Sequence, residues 1–235
     1  VGDTGAYASV GDKVLERAAG HACGVYRVPN VEVEALTVYT NNPPSGAFRG
    51  FGVNQTAFAI EGLLDRLAER VGIDGYEVRD RNILEQGDMF GPGQIMGEGL
   101  GIRQTLEAVK EDYKSAQFAG IACGIKNTGI GNGMADIGRS LIRIESVDSI
   151  VVYTGFTEMG QGLHSKMLTI CSHELGVPIE TIRVMHTATD KVPNTSATAA
   201  SSGSDLNGQA VRNACLAIRD RLRPVAAELL GLAGN

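Results

Sequence analysis

Three short stretches hold residue types that could do chemistry. In "SGAFRGFG", residues 45–52, the cation Arg49 stands between Phe48 and Phe51 among serine, alanine and glycine. Its guanidinium can grip a phosphate or carboxylate with two parallel hydrogen bonds. In "GFTEMGQGLHSKM", the run Met159, Gly160, Gln161, Gly162 and Leu163 ends a strand and starts a helix. In "PNTSATAASSGSDLNGQAV", Thr198, Ala199, Ala200 and Ser201 do the same. Such turns offer free backbone N–H groups at a helix N-terminus and small residues that permit close approach, a combination suited to an anion such as phosphate. Each stretch also has a plainer reading: a glycine-rich turn as a tight connection, Arg49 in a surface ion pair, and the two phenylalanines as core anchors.

Other chemistries find no support. There is no G-x-S-x-G elbow, no H-E-x-x-H pair and no Walker A loop. "GIGNG" has the wrong spacing for a dinucleotide loop. The four histidines, His21, His164, His173 and His186, share no close helix face and read as structural or surface residues. The four cysteines contain no C-x-x-C pair, which argues against a zinc or iron–sulfur site in the chain; Cys171 and Cys215 fall on apolar helix positions and read as buried thiols. Glu158, beside the second turn, reads as structural.

The elements that must position these stretches follow from periodicity. Helices are predicted over 12–22, 54–70, 74–84 and 102–115, the third from a D-x-x-E capping signal at Asp74 and Glu77. The alternation in "VEVEALTVY", 31–39, predicts a half-buried strand. "EQGDMFGPGQIMGEGLG" reads as a glycine-rich connector. Beyond residue 118, "AGIACGIKN", "SLIRIES", "SIVVYTG" and "IETIRVMHT" read as strands. "QGLHSKMLTICSHELG" reads as a helix, and another starts near Ser204 and is kinked or ended by Pro224. The expected class is α+β: two mixed α/β segments joined near 95–118, without the strict alternation of a Rossmann fold.

Composition bounds the partners. The chain has 235 residues, 43% hydrophobic, enough for a real core, and no apolar run of membrane-spanning length. A net charge of −6 with no basic stripe argues against nucleic acid. Unpaired cysteines point to a cytoplasmic setting. The chain starts at Val1 rather than Met, so its natural N-terminus is expected to lie upstream.

Taken together and in order, "AFRGFGVNQ", "TEMGQGLHSKM" and "VPNTSATAASSGSDLNGQAV" closely resemble the molybdopterin-binding, catalytic subunit of the xanthine dehydrogenase and aldehyde oxidase family of molybdenum hydroxylases. The resemblance covers nearly the whole chain. It implies a molybdenum ion held by the dithiolene of molybdopterin, in bacteria often the cytosine dinucleotide form. The implied reaction hydroxylates an N-heterocycle or aldehyde carbon with oxygen from water, and electrons leave through iron–sulfur clusters and FAD on partner domains or subunits. Phe48 and Arg49 match positions against the cofactor; Met159, Gly160, Gln161, Gly162 and Leu163 match the cofactor-binding helix start, with Gln161 as amide donor. Thr198, Ala199, Ala200 and Ser201 match the second phosphate-side loop, with Ala200 near the metal. Phe51 matches a phenylalanine that stacks on the substrate. Arg17, thirty-four residues before Phe51, matches an arginine that stabilises charge developing on a purine substrate. Its plainer reading is an exposed helix arginine. No protein side chain is expected to bind the metal.

The chain departs from the family in places. "NTGIGNG", near Ile130, stands where purine enzymes put a second clamping phenylalanine, and Gly203 stands where relatives often have serine. The family's G-x-G-E general base and the glutamine near the metal's oxo ligand have no match. The resemblance therefore implies a fragment, inactive alone: 1–100 as the end of a first molybdopterin-binding domain, 101–118 as connector and helix, and 119–235 as the start of a second. A rival reading is a non-catalytic cofactor-binding module.

Overall fold

The structure, a computed structural model, describes residues 1–7, 9–91, 93–131 and 134–232. They separate into two compact units, Val1–Lys126 and Asn127–Asn235, each with its own core. Both mix helices with small sheets, as the α+β expectation requires.

In the first unit, β1 (Gly2–Gly5) leads through α1 (Gly11–Gly20) to β2 (Thr37–Tyr39), which pairs parallel to β1. The strand predicted over 31–39 is thus cut to three residues, all exposed rather than half-buried. The reason lies in its partner. β1 is four residues long with an irregular register between Asp3 and Gly5, so it offers three pairings and no more. Helix α2 (Val53–Val71) buries Val53, Leu64 and Ala68, whereas Leu63 and Leu67 face solvent. Helix α3 (Gly75–Asn82) starts as predicted: Asp74 Oδ1 accepts from the amides of Tyr76 at 2.8 Å and Glu77 at 2.9 Å. The connector holds an unpredicted antiparallel pair, β3 (Met89–Phe90) and β4 (Gln94–Ile95). The helix predicted over 102–115 breaks into α4 (Ile102–Ala108) and α5 (Lys110–Ser115). At the break the Val109 amide reaches back three residues to Leu106 O, tightening the turn.

A buried ion pair ties these pieces together. Arg79 is fully buried, and its Nε donates to Glu61 Oε2 at 2.7 Å. Glu61 also accepts from Tyr26 Oη at 2.5 Å and from the Cys123 amide at 3.1 Å. Charges taken out of water persist only when their hydrogen-bonding capacity is met this fully. The Cys123 contact explains "AGIACGIKN". Ile121, Cys123 and Ile125 alternate inward onto the core, yet the segment joins no ladder and is not the predicted strand. Its backbone is held by a side chain instead.

In the second unit, β5 (Ser140–Ser146) and β6 (Ser149–Thr154) form the expected hairpin, and β7 (Ile182–Val184) lies parallel to β6. The strand predicted from Ile179 begins instead with a single 3-10 turn, Ile179–Thr181. Helix α6 (Leu163–Leu175) connects β6 to β7 and packs on α7 (Gly203–Leu229). The helices meet closely: a Cβ on Gly208 would lie 2.9 Å from Ile170 Cδ1. Their shared core includes Phe156, Leu163, Met167, Cys171, Val211 and Cys215, with both thiols buried. α7 continues past Pro224 to Leu229. Among the described residues no helix is long and apolar enough to cross a membrane.

Candidate functional site

Backbone strain marks two of the three stretches, the first and the third. Among the described residues, the non-glycine residues with positive φ are Phe51, Ala200 and Ser201, at 51°, 56° and 60°. L-residues avoid this region, and such strain gathers where a surrounding structure fixes a ligand-facing turn.

In the first unit, residues 48–53 fold into consecutive tight turns, with the Phe51 amide bonded to Phe48 O at 2.7 Å and the Val53 amide to Gly50 O at 3.1 Å. The turn is seated on α1 by Gly52. Its φ is 99°, and a Cβ there would lie 2.1 Å from Val14 O and 3.0 Å from the Ala18 amide nitrogen. Only glycine permits both features. Arg17 lies between those two α1 residues, so the fold brings its segment against the one carrying Phe51. Phe48 is 75% exposed, which removes its core-anchor reading; Arg49 is exposed and Phe51 half-buried.

Arg17 is half-buried in a positive neighbourhood, not on an open helix face. His21 is buried with its Nδ1 donating to Arg17 O at 2.8 Å and its ring edge-on to Phe90. Burial pushes its pKa down, and the charges of Arg17 and Lys126 push the same way. Lys126 is also lowered, by burial first and then by Arg17. Such surroundings favour negative charge on anything placed beside Arg17.

The second unit corrects the expectation of free amides at Gly160 and Gly162. The Glu158 carboxylate takes them: Oε1 accepts from Gly160 at 2.9 Å and Gly162 at 3.0 Å, and Oε2 from His164 at 2.9 Å. These bonds, His164 first, hold its pKa below the ordinary carboxylate value. Gln161 is engaged as well, donating to Thr157 O at 2.9 Å and accepting from the Met159 amide. Its amide group keeps one further N–H for a ligand. Met159 is 66% exposed; Leu163 is buried and anchors the turn to the core.

The third stretch meets the second. The Thr157 amide donates to Thr198 Oγ1 at 2.8 Å. Ala200 O accepts from the Gly129 amide at 2.9 Å, so the strained loop touches the segment leading to Ile130. The Ile130 amide donates to Asp136 Oδ2 at 2.9 Å, while Asn132 and Gly133 of "NTGIGNG" lie outside the described residues. Ser196 Oγ accepts from the Ile137 amide and donates to Ala135 O, fastening the same two segments. Ala199 and Ser201 are exposed, and the N-cap of α7, Ser202, makes no side-chain cap. The structural reading of Glu158 stands, with its three amides now identified, whereas sequence reasoning missed Asp136 and Ser196 as holders of this surface. Only Glu158 left a signal, an acid two and four residues ahead of paired glycines.

Each set of turns leaves a flat stretch of backbone open to a ligand. Cβ atoms on Gly46, Gly160 or Gly162 would meet nothing within 4 Å, so these turns present bare backbone to open space. In the first unit, exposed Phe48 and Arg49 follow Gly46 closely. In the second, exposed Met159 and the half-buried Gln161 flank Gly160. Among the described residues no group of three His, Cys, Asp or Glu could hold a metal ion.

Comparison with known proteins gives concordant matches. Residues 1–83 and 99–235 each match a family model described as a molybdopterin cofactor-binding domain. The xanthine dehydrogenase of Calliphora vicina is 37% identical over 228 residues, 90% of this chain and 17% of that one. A probable xanthine dehydrogenase subunit of Bacillus subtilis is 34% identical over 245 residues, 100% of this chain and 33% of that one. The crystal structure of the aldehyde oxidoreductase from Desulfovibrio desulfuricans superposes with a TM-score of 0.80 at 25% identity, covering 99% of this chain and 28% of that one. The chain thus spans a third or less of each of these relatives.

Proposed function

The chain belongs to the molybdopterin cofactor-binding domain family, and from that premise we propose that it is part of the catalytic subunit of a molybdenum hydroxylase acting on an N-heterocycle. The observation that carries the reading is the coincidence of strain with the family-matched turns: Phe51, Ala200 and Ser201 each stand in one of them. When bound, molybdopterin supplies the molybdenum centre at which a substrate carbon is hydroxylated with oxygen from water.

The chain's own residues bind and orient. Phe48 and Arg49 lie along the cofactor, Arg49 with a fork of donors for its anionic part. Met159, Gly160, Gln161 and Gly162 form one wall, held by Leu163. Thr198, Ala199, Ala200 and Ser201 would form the second, and Ala200 would lie on the side of the metal. Phe51 offers one aromatic face to the substrate. Arg17 stabilises negative charge that develops on a heterocycle during the reaction, and the nearby positive charge of Lys126 acts in the same direction. The reaction also needs a proton acceptor. Glu158 is committed to three amides, so the acceptor is assigned to another part of the larger subunit.

The wider assembly follows from the same reading. Residues 1–100 would close a first cofactor-binding domain, 101–118 connect, and 119–235 open a second. Iron–sulfur and FAD domains or subunits would take the electrons, the remainder of the subunit would complete the pocket, and the assembly would be cytoplasmic. The pterin would be the cytosine dinucleotide form, and residues 1–235 alone would be inactive.

An aldehyde substrate is the second reading, favoured by the aldehyde oxidoreductase likeness. Arg17→Met in the complete enzyme separates the two. A heterocycle develops charge within reach of Arg17, so kcat/KM on it should fall about a hundredfold or more, while an aldehyde loses far less. Equal losses on both substrate types would contradict the heterocycle assignment.

A further inference from the structure

A helix N-terminus with glycines in its first turn invites an anion, because its amides are unpaired and its dipole is positive there. At α6 that invitation has already been accepted from within the chain. Glu158 reaches across the turn it precedes and gathers the amides of Gly160, Gly162 and His164 on its two oxygens, at 2.9, 3.0 and 2.9 Å. Gln161 closes the same turn from the other side, through Thr157 O and the Met159 amide. The Thr157 amide is pinned to Thr198 Oγ1. Gly160 and Gly162 are thereby fixed at φ of 89° and 75°, with their bare faces outward.

We propose that Glu158 is the positioning residue of the cofactor-binding turn: its carboxylate stands in for the anion at the α6 N-terminus, so the turn meets the cofactor through its outward face and not through its helix amides. This rests on the reading of 159–163 as cofactor-binding. The carboxylate acts twice. It cancels the helix's affinity for a free phosphate, and it pre-forms the glycine conformations that a ligand would otherwise have to impose, which removes an ordering cost from binding. The depressed pKa of Glu158 keeps it ionised at neutral pH, as an anion stand-in must be.

The test uses the complete complex, wild type and with Glu158→Gln or Glu158→Ala. Glutamine keeps one carbonyl acceptor and presents an NH2 to at least one of the three amides. Both variants should hold about tenfold less molybdenum than wild type after extensive dialysis, the scale seen for partners that orient a bound metal centre. Unfolding midpoints of the cofactor-stripped complexes should shift by no more than about 4 °C. Formate supplied during cofactor loading should restore molybdenum to Glu158→Ala, where the three amides are open, and leave wild type unchanged. Wild-type molybdenum content in both variants would overturn the proposal. So would a loss that formate fails to reverse and that tracks a large fall in the stripped midpoint, since that outcome makes Glu158 a stability residue only. Absence of molybdenum from the wild-type complex would instead overturn the cofactor reading beneath it.

Discussion

At the scale of single residues, what matters is how charge is housed. Arg79 has no exposed surface, and Glu61 meets it with one oxygen while accepting from Tyr26 with the other. Removing the Glu61 carboxylate leaves buried Arg79 with only the exposed Asp65, at 2.8 Å, as its counter-charge. Glu61→Gln should therefore lower stability by about 3–5 kcal/mol, read from the urea midpoint of the complete protein. Glu61→Met combined with Arg79→Met should recover only part of that loss, since it removes the buried charge but leaves the Tyr26 hydroxyl and the Cys123 amide without their acceptor. A double variant worse than the sum of its singles would contradict this account. Little of the network was legible beforehand. Glu61 sits at a helix position like any surface glutamate, and its partners are 18, 35 and 62 residues away. The partners of Glu158, read as structural, were hidden for a related reason: the sequence shows glycines ahead of a helix but not which acceptor reaches their amides.

At the scale of elements, local rules held where the cause was local. The Asp74 cap lies within three residues of both amides it serves, and α3 starts where that signal put it. Its carboxyl is held below the ordinary value, first by Lys114 and then by the amides of Glu77 and Tyr76. A lowered folded pKa means the stabilisation is fully present above the ordinary value of about 4 and is lost as pH falls through the lowered one. Asp74→Ala should cost about 1 kcal/mol at pH 7, and the gap from wild type should shrink steadily below pH about 4 in thermal melts. A gap that widens in acid would show the sign to be wrong. Strand predictions failed where a partner was needed. Residues 31–36 alternate as a strand should, but β1 is too short to pair with them. Residues 121–125 alternate inward correctly and are held by Glu61 instead of a ladder. The seating of the Arg49 turn on α1 makes a sharper case. Gly52→Ala places a methyl 2.1 Å from Val14 O at a φ of 99°, so it should cost at least about 2 kcal/mol and displace Phe51. In the complete enzyme KM should rise together with the loss of stability. An unaltered midpoint would mean that the turn does not rest on α1 as described.

At the scale of the whole molecule, the chain is two compact units that between them carry all three family-matched turns: the Arg49 turn in the first, the Gly160 and Ala200 turns in the second. The turns themselves were legible, because glycine, small residues and a lone arginine leave a composition that core packing does not require. The strain at Phe51, Ala200 and Ser201 was not, since φ is set by the surrounding fold. The central claim is that these turns hold molybdopterin, and metal and phosphorus analysis of the complete complex purified from its source tests it most directly. The account predicts molybdenum in stoichiometric amount to this chain, accompanied by phosphorus that is released with it when the protein is denatured. A folded, intact complex free of molybdenum would contradict it.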